Sequence, residues 1–363
     1  MRLIIDAHED IAWNILTFGR DPTRSVAETR AVEASTPIPL QQGEVLLGYP
    51  DYVRGGVAVA FATLHVMPER RKLHDWETLS YATQQDAHRL AQAQADAYHR
   101  LVDDHAEKFQ LVDHQAALRE VLETWSGDPP RAPRVGLVLL IEGADCVRQP
   151  DELHEWYANG VRIVGPAWAG TRYSGGTREP GPLSSDGRAL LDIMADLGMM
   201  LDLSHMAEQA FFEALDRFPG TLFASHSNVR ALLDGSPTPD RHLSEAMIRR
   251  LADREGVIGV VPYNRFLKGG WLPADGRAVV TVELLVRHID HICQLLGDAR
   301  HVGLGSDFDG GFGLDQIPAG LDSIADLRFI GDALQRSGYK PADVDAILSG
   351  NWLRILRQGL PES

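Results

Sequence analysis

Apolar runs recur along the chain at fairly even intervals. Several are apolar at every position rather than at alternate positions, which is expected of parallel strands covered on both faces. They occupy residues 2–8, 57–66, 135–143, 161–168, 199–205, 221–226, 257–263 and 301–307. Eight such strands alternating with helices over 363 residues predict an α/β fold, a (β/α)8 TIM barrel, with a doubly wound parallel sheet as the alternative.

Helical patterns separate these runs. Asp186 is a suitable N-cap for the helix that follows it, and Gly198 ends that helix just before the fifth strand. A long pattern rich in Gln and Ala predicts another helix over about 75–106. Further helices are expected over residues 207–218, 243–256 and 281–297.

The chain carries no linker, repeat or low-complexity tract, so we expect residues 1–363 to form one barrel domain. The segment 17–55, with prolines at positions 22, 37, 39 and 50, predicts an irregular excursion between the first and second strands. Because the loops that follow barrel strands gather at the C-terminal face, we expect this excursion to cover that face.

Composition narrows the class of function. The net charge of −16 argues against nucleic-acid binding, because neutralising phosphates needs clustered Lys and Arg. The two cysteines, Cys146 and Cys293, are too few for a disulfide framework or a thiolate zinc site, so a metal site would need His and carboxylate ligands. The sequence predicts neither a signal peptide nor a membrane span or lipid anchor, and we therefore expect a cytoplasmic protein.

Polar side chains stand where five of the predicted strands end. They are His8 and Asp10 on the first strand, Glu142 on the third, His205 on the fifth, His226 on the sixth and Asp307 on the eighth. Residues two apart on a strand point the same way, and the strand ends of a barrel meet at one mouth. Imidazoles with carboxylates suit zinc or another divalent first-row metal, and a carboxylate shared by two ions would hold them ~3.5–4 Å apart.

Taken singly, each of these residues also has an ordinary structural explanation. A His-x-Asp pair commonly caps or hydrogen-bonds at a surface, and a buried histidine commonly completes a core. The metal hypothesis therefore depends on the six residues together. By contrast, the histidines at positions 74, 88, 99, 105, 114, 288 and 291 fall in polar or helical stretches and are expected to be solvated or structural.

Six motifs carry a resemblance to a known family. They are "DAHEDIAWN" at 6–14, "IEGAD" at 141–145, "LDLSH" at 201–205, "SHSNVRAL" at 225–232, "GLGSDFDGG" at 303–311 and "GNWLRIL" at 350–356. In this order, and over almost the whole chain, they resemble the renal (membrane) dipeptidase family, the M19 metallopeptidases. The resemblance implies a (β/α)8 barrel related to the amidohydrolases, which carries two zinc ions and hydrolyses dipeptides.

The resemblance also implies roles for the strand-end residues. His8, Asp10 and Glu142 resemble the ligands of one zinc ion. Glu142, His205 and His226 resemble those of the other, with Glu142 as the bridge. Asp307 matches the carboxylate that handles the proton of the metal-bound water.

Other positions resemble the family's substrate-binding side chains. Arg241 aligns with an arginine that holds the substrate's C-terminal carboxylate, and Tyr263 with a substrate-contacting tyrosine, although packing on the seventh strand explains Tyr263 equally well. Trp168 stands where the family has a substrate-contacting histidine, and an indole offers one N–H donor and no positive charge. His65 and Arg172 are the candidates to compensate for that histidine.

These features predict a metal-dependent dipeptidase in which a hydroxide bridging two zinc ions attacks the peptide bond. Trp168 leaves a second possibility open, namely another small amide or ester such as an N-acyl amino acid, a lactone or a cyclic amide. A barrel that binds metal without catalysis is the non-enzymatic alternative, which the complete set of strand-end residues disfavours. The expected partners are a small dipeptide substrate and, as the family implies, a second copy in a homodimer.

Overall fold

Parallel strands form the centre of the fold in the computed structural model, which describes residues 2–127 and 130–362. The barrel strands are β1 (Ile4–Glu9), β2 (Val57–His65), β3 (Val135–Glu142), β4 (Val161–Gly165), β5 (Met200–Asp202), β6 (Leu222–Phe223), β7 (Ile258–Val260) and β8 (Val302–Leu304). Every residue of these strands is buried, as their continuous apolar sequences predict.

The strands pair in the order β6–β5–β4–β3–β2–β1–β8–β7, all parallel. A single parallel bridge between Ala224 and Ile258 brings the two ends of this series together. There the Ala224 N–H donates to the Val257 carbonyl at 2.9 Å. The barrel is therefore nearly closed, which confirms the (β/α)8 expectation and rules out the open doubly wound sheet.

Helices connect and surround the strands. They are α1 (Ile11–Phe18), α2 (Val26–Glu33), α3 (Ile38–Gln41), α4 (Tyr49–Gly55), α5 (Gln84–Asp104), α6 (Gln115–Thr124), α7 (Leu153–Ala158), α8 (Ser185–Asp196), α9 (Glu208–Arg217), α10 (Glu245–Ala252), α11 (Asn264–Leu267), α12 (Val282–Leu296), α13 (Arg328–Arg336), α14 (Pro341–Asp345) and α15 (Asn351–Gly359). Shorter strands lie outside the barrel order, at Met67–Pro68, Ser80–Tyr81, Phe109–Leu111, Ser174–Gly176 and Glu179–Leu183.

Two helices begin at other residues than expected, because Thr83 and Ser184 cap their N-termini. The helix α5 begins at Gln84 rather than near residue 75, since the Thr83 hydroxyl accepts a hydrogen bond from the Asp86 N–H. The helix α8 is capped by Ser184, whose hydroxyl accepts from the Gly187 N–H at 2.9 Å. The prediction that Asp186 is the N-cap is therefore wrong.

The segment 17–55 is also more regular than expected. It forms α2, α3 and α4 instead of an irregular excursion. Its contacts with the loop after β8 include hydrogen bonds to Asp309. The Leu46 N–H donates to the Asp309 carboxylate at 3.0 Å, and the Gln42 side chain donates to the Asp309 carbonyl at 2.6 Å.

Several barrel strands end before their apolar sequences do. The strands β5, β6 and β8 stop three residues short of His205, His226 and Asp307, so these side chains lie on the loops that follow. His205 and Asp307 have φ values of 65° and 57°, in the left-handed region that strands do not use. The loop conformation therefore decides where these two side chains point.

The C-terminal motif packs under the last strand. The indole N–H of Trp352 donates to the Leu304 carbonyl at 3.0 Å, and the Asn351 amide donates to the Val302 carbonyl at 2.8 Å. A Cβ atom at Gly303 would collide with the Trp352 indole, so this strand position requires glycine. The "GNWLRIL" motif thus holds β8, and the loop that carries Asp307, against the barrel.

Candidate active site

Histidines from three parts of the chain meet at one carboxylate. Glu142, the last residue of β3, places its Oε1 atom 3.1 Å from Nε2 of His205 and 3.1 Å from Nε2 of His226. His8, on β1, brings its Nε2 atom to 3.6 Å from the same oxygen. These elements are far apart in sequence, and only closure of the barrel brings them together.

Two more carboxylates complete the cluster around His8. Its Nε2 atom lies 3.9 Å from Asp10 Oδ2 and 4.0 Å from Asp307 Oδ1. The imidazole of His8 is fully buried, and Asp10 is almost fully buried. All six strand-end residues of the sequence are therefore gathered at one place.

The donor set fits a metal centre. The buried His8 Nε2 and Asp10 Oδ1 atoms have no hydrogen-bond partner, and leaving such groups unpaired costs about 1–3 kcal/mol each. Nε2 of His205 and Nε2 of His226 lie 3.0 Å apart, so two ring nitrogens point at the same spot. Imidazole nitrogens and carboxylate oxygens converging in this way suit zinc or a related divalent ion.

A second layer of side chains orients the histidines. Asp202 accepts a hydrogen bond from the Ser225 hydroxyl, which in turn lies 2.7 Å from Nδ1 of His226 and 3.4 Å from Nδ1 of His8. Because the Ser225 hydroxyl donates its proton to Asp202, its oxygen accepts hydrogen bonds from the Nδ1–H groups of the two histidines. When a metal ion is bound, Nε2 of each histidine would then supply its lone pair to that ion.

His205 and Glu142 have supporting contacts of their own. The Thr177 hydroxyl lies 3.0 Å from Nδ1 of His205, and Nδ1 of His65 lies 3.1 Å from Glu142 Oε2. Sequence reasoning assigned no role to Thr177, Ser225 or Asp202. His65 ends β2, so the rule that polar residues at strand ends face the mouth applies to it too.

Burial and neighbouring charges shift the pKa values of the side chains in the cluster. Burial lowers the pKa of His8, but the carboxylates of Glu142, Asp10 and Asp307 outweigh it and raise this pKa to about 10. Burial raises the pKa of Asp10 to about 6 and that of Asp307 well above its usual range. The pKa of Glu142 falls well below its usual range in spite of burial, because His8 and its other imidazole neighbours stabilise the carboxylate.

A cavity of about 470 Å³ borders the cluster and is lined by side chains from many loops. Arg241, on its wall, is 4% exposed. Its guanidinium donates to the His226 carbonyl at 2.8 Å and to the Ser227 hydroxyl at 3.3 Å, and lies 5.2 Å from the ring centre of Phe266. These contacts hold a positive charge at a set position beside the cluster.

The two aromatic candidates also line this cavity. Tyr263 stacks on Phe312 with ring centres 4.2 Å apart, and its hydroxyl lies 3.4 Å from the Gln316 side-chain oxygen. Trp168 lies 5.1 Å from the His65 ring and 6.2 Å from the His205 ring. Both side chains therefore form part of the cavity wall.

Of the two candidates to compensate for Trp168, the structure brings only His65 to the cluster. Arg172 lines a different cavity, where its backbone N–H donates to Asp145 at 3.0 Å and its guanidinium pairs with Asp186. Arg172 belongs to the loop after β4, whose residues Trp168 and Thr177 line the cavity beside the cluster while Arg172 itself lines the other cavity. The expectation that Arg172 could serve the site is therefore wrong.

Comparison with known proteins identifies the family. A model of the family described as membrane dipeptidase (peptidase family M19) matches residues 2–360. An uncharacterised protein from Klebsiella pneumoniae, encoded in the region 5′ of pqqA, is 36% identical over 262 residues, which are 68% of this chain and 92% of that protein. The dipeptidase tcpJ of Claviceps purpurea is 29% identical over 69% of this chain and 59% of its own length.

Solved structures share the fold. A metallopeptidase from Rhodobacter sphaeroides, with a bound phosphinate mimic of L-Ala-D-Ala, superposes with a TM-score of 0.78 at 24% identity, covering 99% of both chains. The probable dipeptidase PvdM from Pseudomonas aeruginosa superposes with a TM-score of 0.80 at 19% identity, over 100% of this chain and 96% of that one. Within the described residues, no helix has the length and apolar character needed to cross a membrane. The chain belongs to the membrane dipeptidase family, peptidase family M19.

Proposed function

We propose that this protein is a zinc-dependent dipeptidase whose reaction takes place in the cavity beside Glu142. The observation that carries the proposal is the convergence of three imidazoles on one carboxylate, with a fixed guanidinium on the wall of the same small cavity. A metal pair and a carboxylate-binding arginine are what hydrolysis of a very short peptide requires. Membership of the M19 family supports this assignment.

The proposed ligand sets are those that the family resemblance implies, and the cluster geometry is compatible with both. His8, Asp10 and Glu142 would hold one Zn²⁺ ion, and Glu142, His205 and His226 the other. When bound, a pair of divalent ions supplies an activated water and polarises the scissile carbonyl. The hydrogen bonds from the ring nitrogens to Ser225 keep the Nε2 atoms of His8 and His226 facing Glu142, where the ions would bind.

Asp307 is the proposed proton carrier. Its carboxylate borders the cavity and lies 4.0 Å from His8. Its raised pKa suits a group that takes a proton from the attacking water and delivers it to the leaving amine. General base and general acid are then the same side chain in successive steps.

Arg241 is the proposed anchor for the substrate. A guanidinium binds a carboxylate through two parallel hydrogen bonds, which favours substrates with a free C-terminus near the scissile bond. The phosphinate mimic of L-Ala-D-Ala bound by the Rhodobacter sphaeroides relative is a ligand of this size and type. Tyr263 and Trp168 would pack against the bound peptide.

A second candidate function keeps the same metal centre and changes the substrate. Trp168 places an uncharged indole on the cavity wall, where the family has an imidazole, and only His65 stands close by. An N-acyl amino acid, a lactone or a cyclic amide would then replace the dipeptide. Loss of catalysis is the least favoured reading, because no ligand position is missing.

The test is metal analysis followed by hydrolysis of L-L and L-D dipeptides on the same sample, with and without a chelator. We expect about two zinc ions per chain and cleavage that the chelator abolishes. Two ions with no dipeptide cleaved would move the assignment to another amide or ester. Absence of metal, with no activity after metal is added, would overturn the mechanism. A matched Glu142→Gln variant should lose both ions, because it removes the shared ligand.

Two further parts of the proposal concern the cellular location and the oligomeric state of the enzyme. We place it in the cytoplasm as a homodimer with no nucleic-acid partner. Light scattering of the purified protein during gel filtration gives the molar mass directly, and a mass of one chain would remove the homodimer from the proposal.

A further inference from the structure

Beyond the cluster, two arginines face the cavity without a counter-charge. Arg265 and Arg178 both line it, and among the described residues no carboxylate comes within 4.0 Å of either guanidinium. The Nε atom of Arg265 is buried and has no hydrogen-bond partner. Arg71, on the same cavity, also has a buried Nε without a partner, but its guanidinium forms an ion pair with Glu179 at 2.6 Å. Free guanidiniums are notable in a chain with a net charge of −16.

A buried guanidinium donor without a partner is costly, since desolvation of a charged group is offset only by an anion or by hydrogen-bond acceptors. Apart from the proposed metal ligands and Asp307, the acidic side chain on the cavity lining is Glu77, which accepts hydrogen bonds from the backbone N–H groups of Leu73 and His74. The buried donor of Arg265 is therefore available to an anion that comes with the ligand, and the solvent-exposed Arg178 adds a second positive charge to the same lining.

The chain segments that carry the two free arginines contact the segment that carries Arg241. The residue after Arg265 is Phe266, whose ring lies under the Arg241 guanidinium. The backbone N–H of Arg178 donates to the carboxylate of Asp240, the residue before Arg241, at 2.6 Å. All three arginines line the same cavity, so an anion held by Arg265 and Arg178 would share that cavity with the group that Arg241 holds.

The lining also contains large apolar side chains. Trp13, Met67 and Trp76 also line the cavity. They follow β1 and β2, which lie across the barrel from β6 in the strand order. The cavity therefore offers aromatic and apolar surface after β1 and β2, next to the paired Arg71, in addition to the free arginines.

We propose that the preferred substrates are dipeptides with an acidic C-terminal residue. The side-chain carboxylate would bind Arg265 and Arg178 while the α-carboxylate binds Arg241, and the N-terminal side chain would face the tryptophans. This inference rests on the proposed dipeptidase function and names its substrate class.

The first test compares kcat/KM of the zinc-loaded enzyme for Ala-Glu and for Ala-Gln, which has the same shape without the charge. Hydrogen bonds between charged groups are strong enough to give about a tenfold or larger preference for Ala-Glu. Glu-Ala, with the charge on the other residue, should show no such advantage over Gln-Ala. Each pair is measured with L and with D residues at the second position.

Variants identify the side chains responsible. In Arg265→Gln the ratio of Ala-Glu to Ala-Gln should fall toward one, and in Arg265→Glu the enzyme should prefer Ala-Lys over Ala-Glu. A merely structural role for Arg265 would not reverse the charge preference. Arg89→Gln removes an exposed arginine of α5 outside the cavity and should leave the ratio as it is.

A binding measurement gives a readout that does not depend on turnover. Calorimetry with the zinc-loaded Asp307→Asn variant should show Ala-Glu binding about tenfold or more tightly than Ala-Gln. Cleavage or binding with ratios near one would overturn this inference and leave the dipeptidase function standing. Failure to cleave any dipeptide would overturn the proposed function, and the inference with it.

Discussion

Replacing Ser225 with alanine tests how the histidine ligands are oriented. The Ser225 hydroxyl donates its proton to Asp202 and accepts from Nδ1 of His226 at 2.7 Å. This arrangement selects the tautomer in which Nε2 of His226 carries the lone pair. In Ser225→Ala, the ring of His226 loses that constraint, and Asp202 loses a partner.

The expected loss of zinc affinity is large. Removing a hydrogen-bond partner of a metal-binding histidine typically costs 10- to 100-fold in metal affinity, about 1.4–2.7 kcal/mol. The same hydroxyl also lies 3.4 Å from Nδ1 of His8, so one substitution affects ligands of both proposed ions. We therefore expect a loss in the upper half of this range, about 30- to 100-fold.

The assay is competition for zinc with a chromophoric chelator, beside thermal melting of the metal-free protein. Ser174→Ala is the matched control, because Ser174 is a buried serine whose hydroxyl donates to the Gly175 carbonyl and which is not part of the cluster. The control should hold zinc like the wild type. If S225A melts like the wild type and binds zinc just as tightly, the orienting role of Ser225 is refuted.

Further predictions test other parts of the structure. Asp307→Asn should lower kcat by about 10²-fold or more with zinc content unchanged, and loss of metal would contradict the proton-carrier role. Arg241→Lys should raise KM for dipeptides by about tenfold, because an ammonium cannot replace the bidentate contact; an unchanged KM would place the carboxylate elsewhere. Because the pKa of His8 is raised to about 10, this imidazole is protonated at neutral pH without metal. Zinc binding should then release at least one proton and tighten as pH rises, which calorimetry in buffers of different ionisation enthalpy measures; zero release contradicts it. Arg20→Leu breaks a buried pair with Glu33 at 2.9 Å and should lower the free energy of unfolding by about 3 kcal/mol or more, measured by denaturant titration; a loss below about 1 kcal/mol would mean that the pair is solvated.

The local sequence was a good guide to the barrel and a poorer guide to its helix starts. Continuous apolar runs can only be buried strands or buried helices, and their length and spacing decided between these. At α8, Ser184 and Asp186 are both acceptable caps by residue type. The structure selects Ser184 because Asp186 is taken by Arg172, a partner 14 residues away. A helix start depends on such competition, which a local pattern does not record.

The sequence by itself determined which side chains could bind metal, since the six strand-end residues share one feature, a polar group after a buried strand. Tertiary structure alone decided which other residues join them. His65 and Arg172 were equal candidates in the sequence, and only loop direction after β4 sends Arg172 to another cavity. The contact of Asp202 with Ser225 spans 23 residues and forms because β5 and β6 pair in parallel. Hydrogen bonds of this kind depend on strand register and loop conformation, which long-range packing sets.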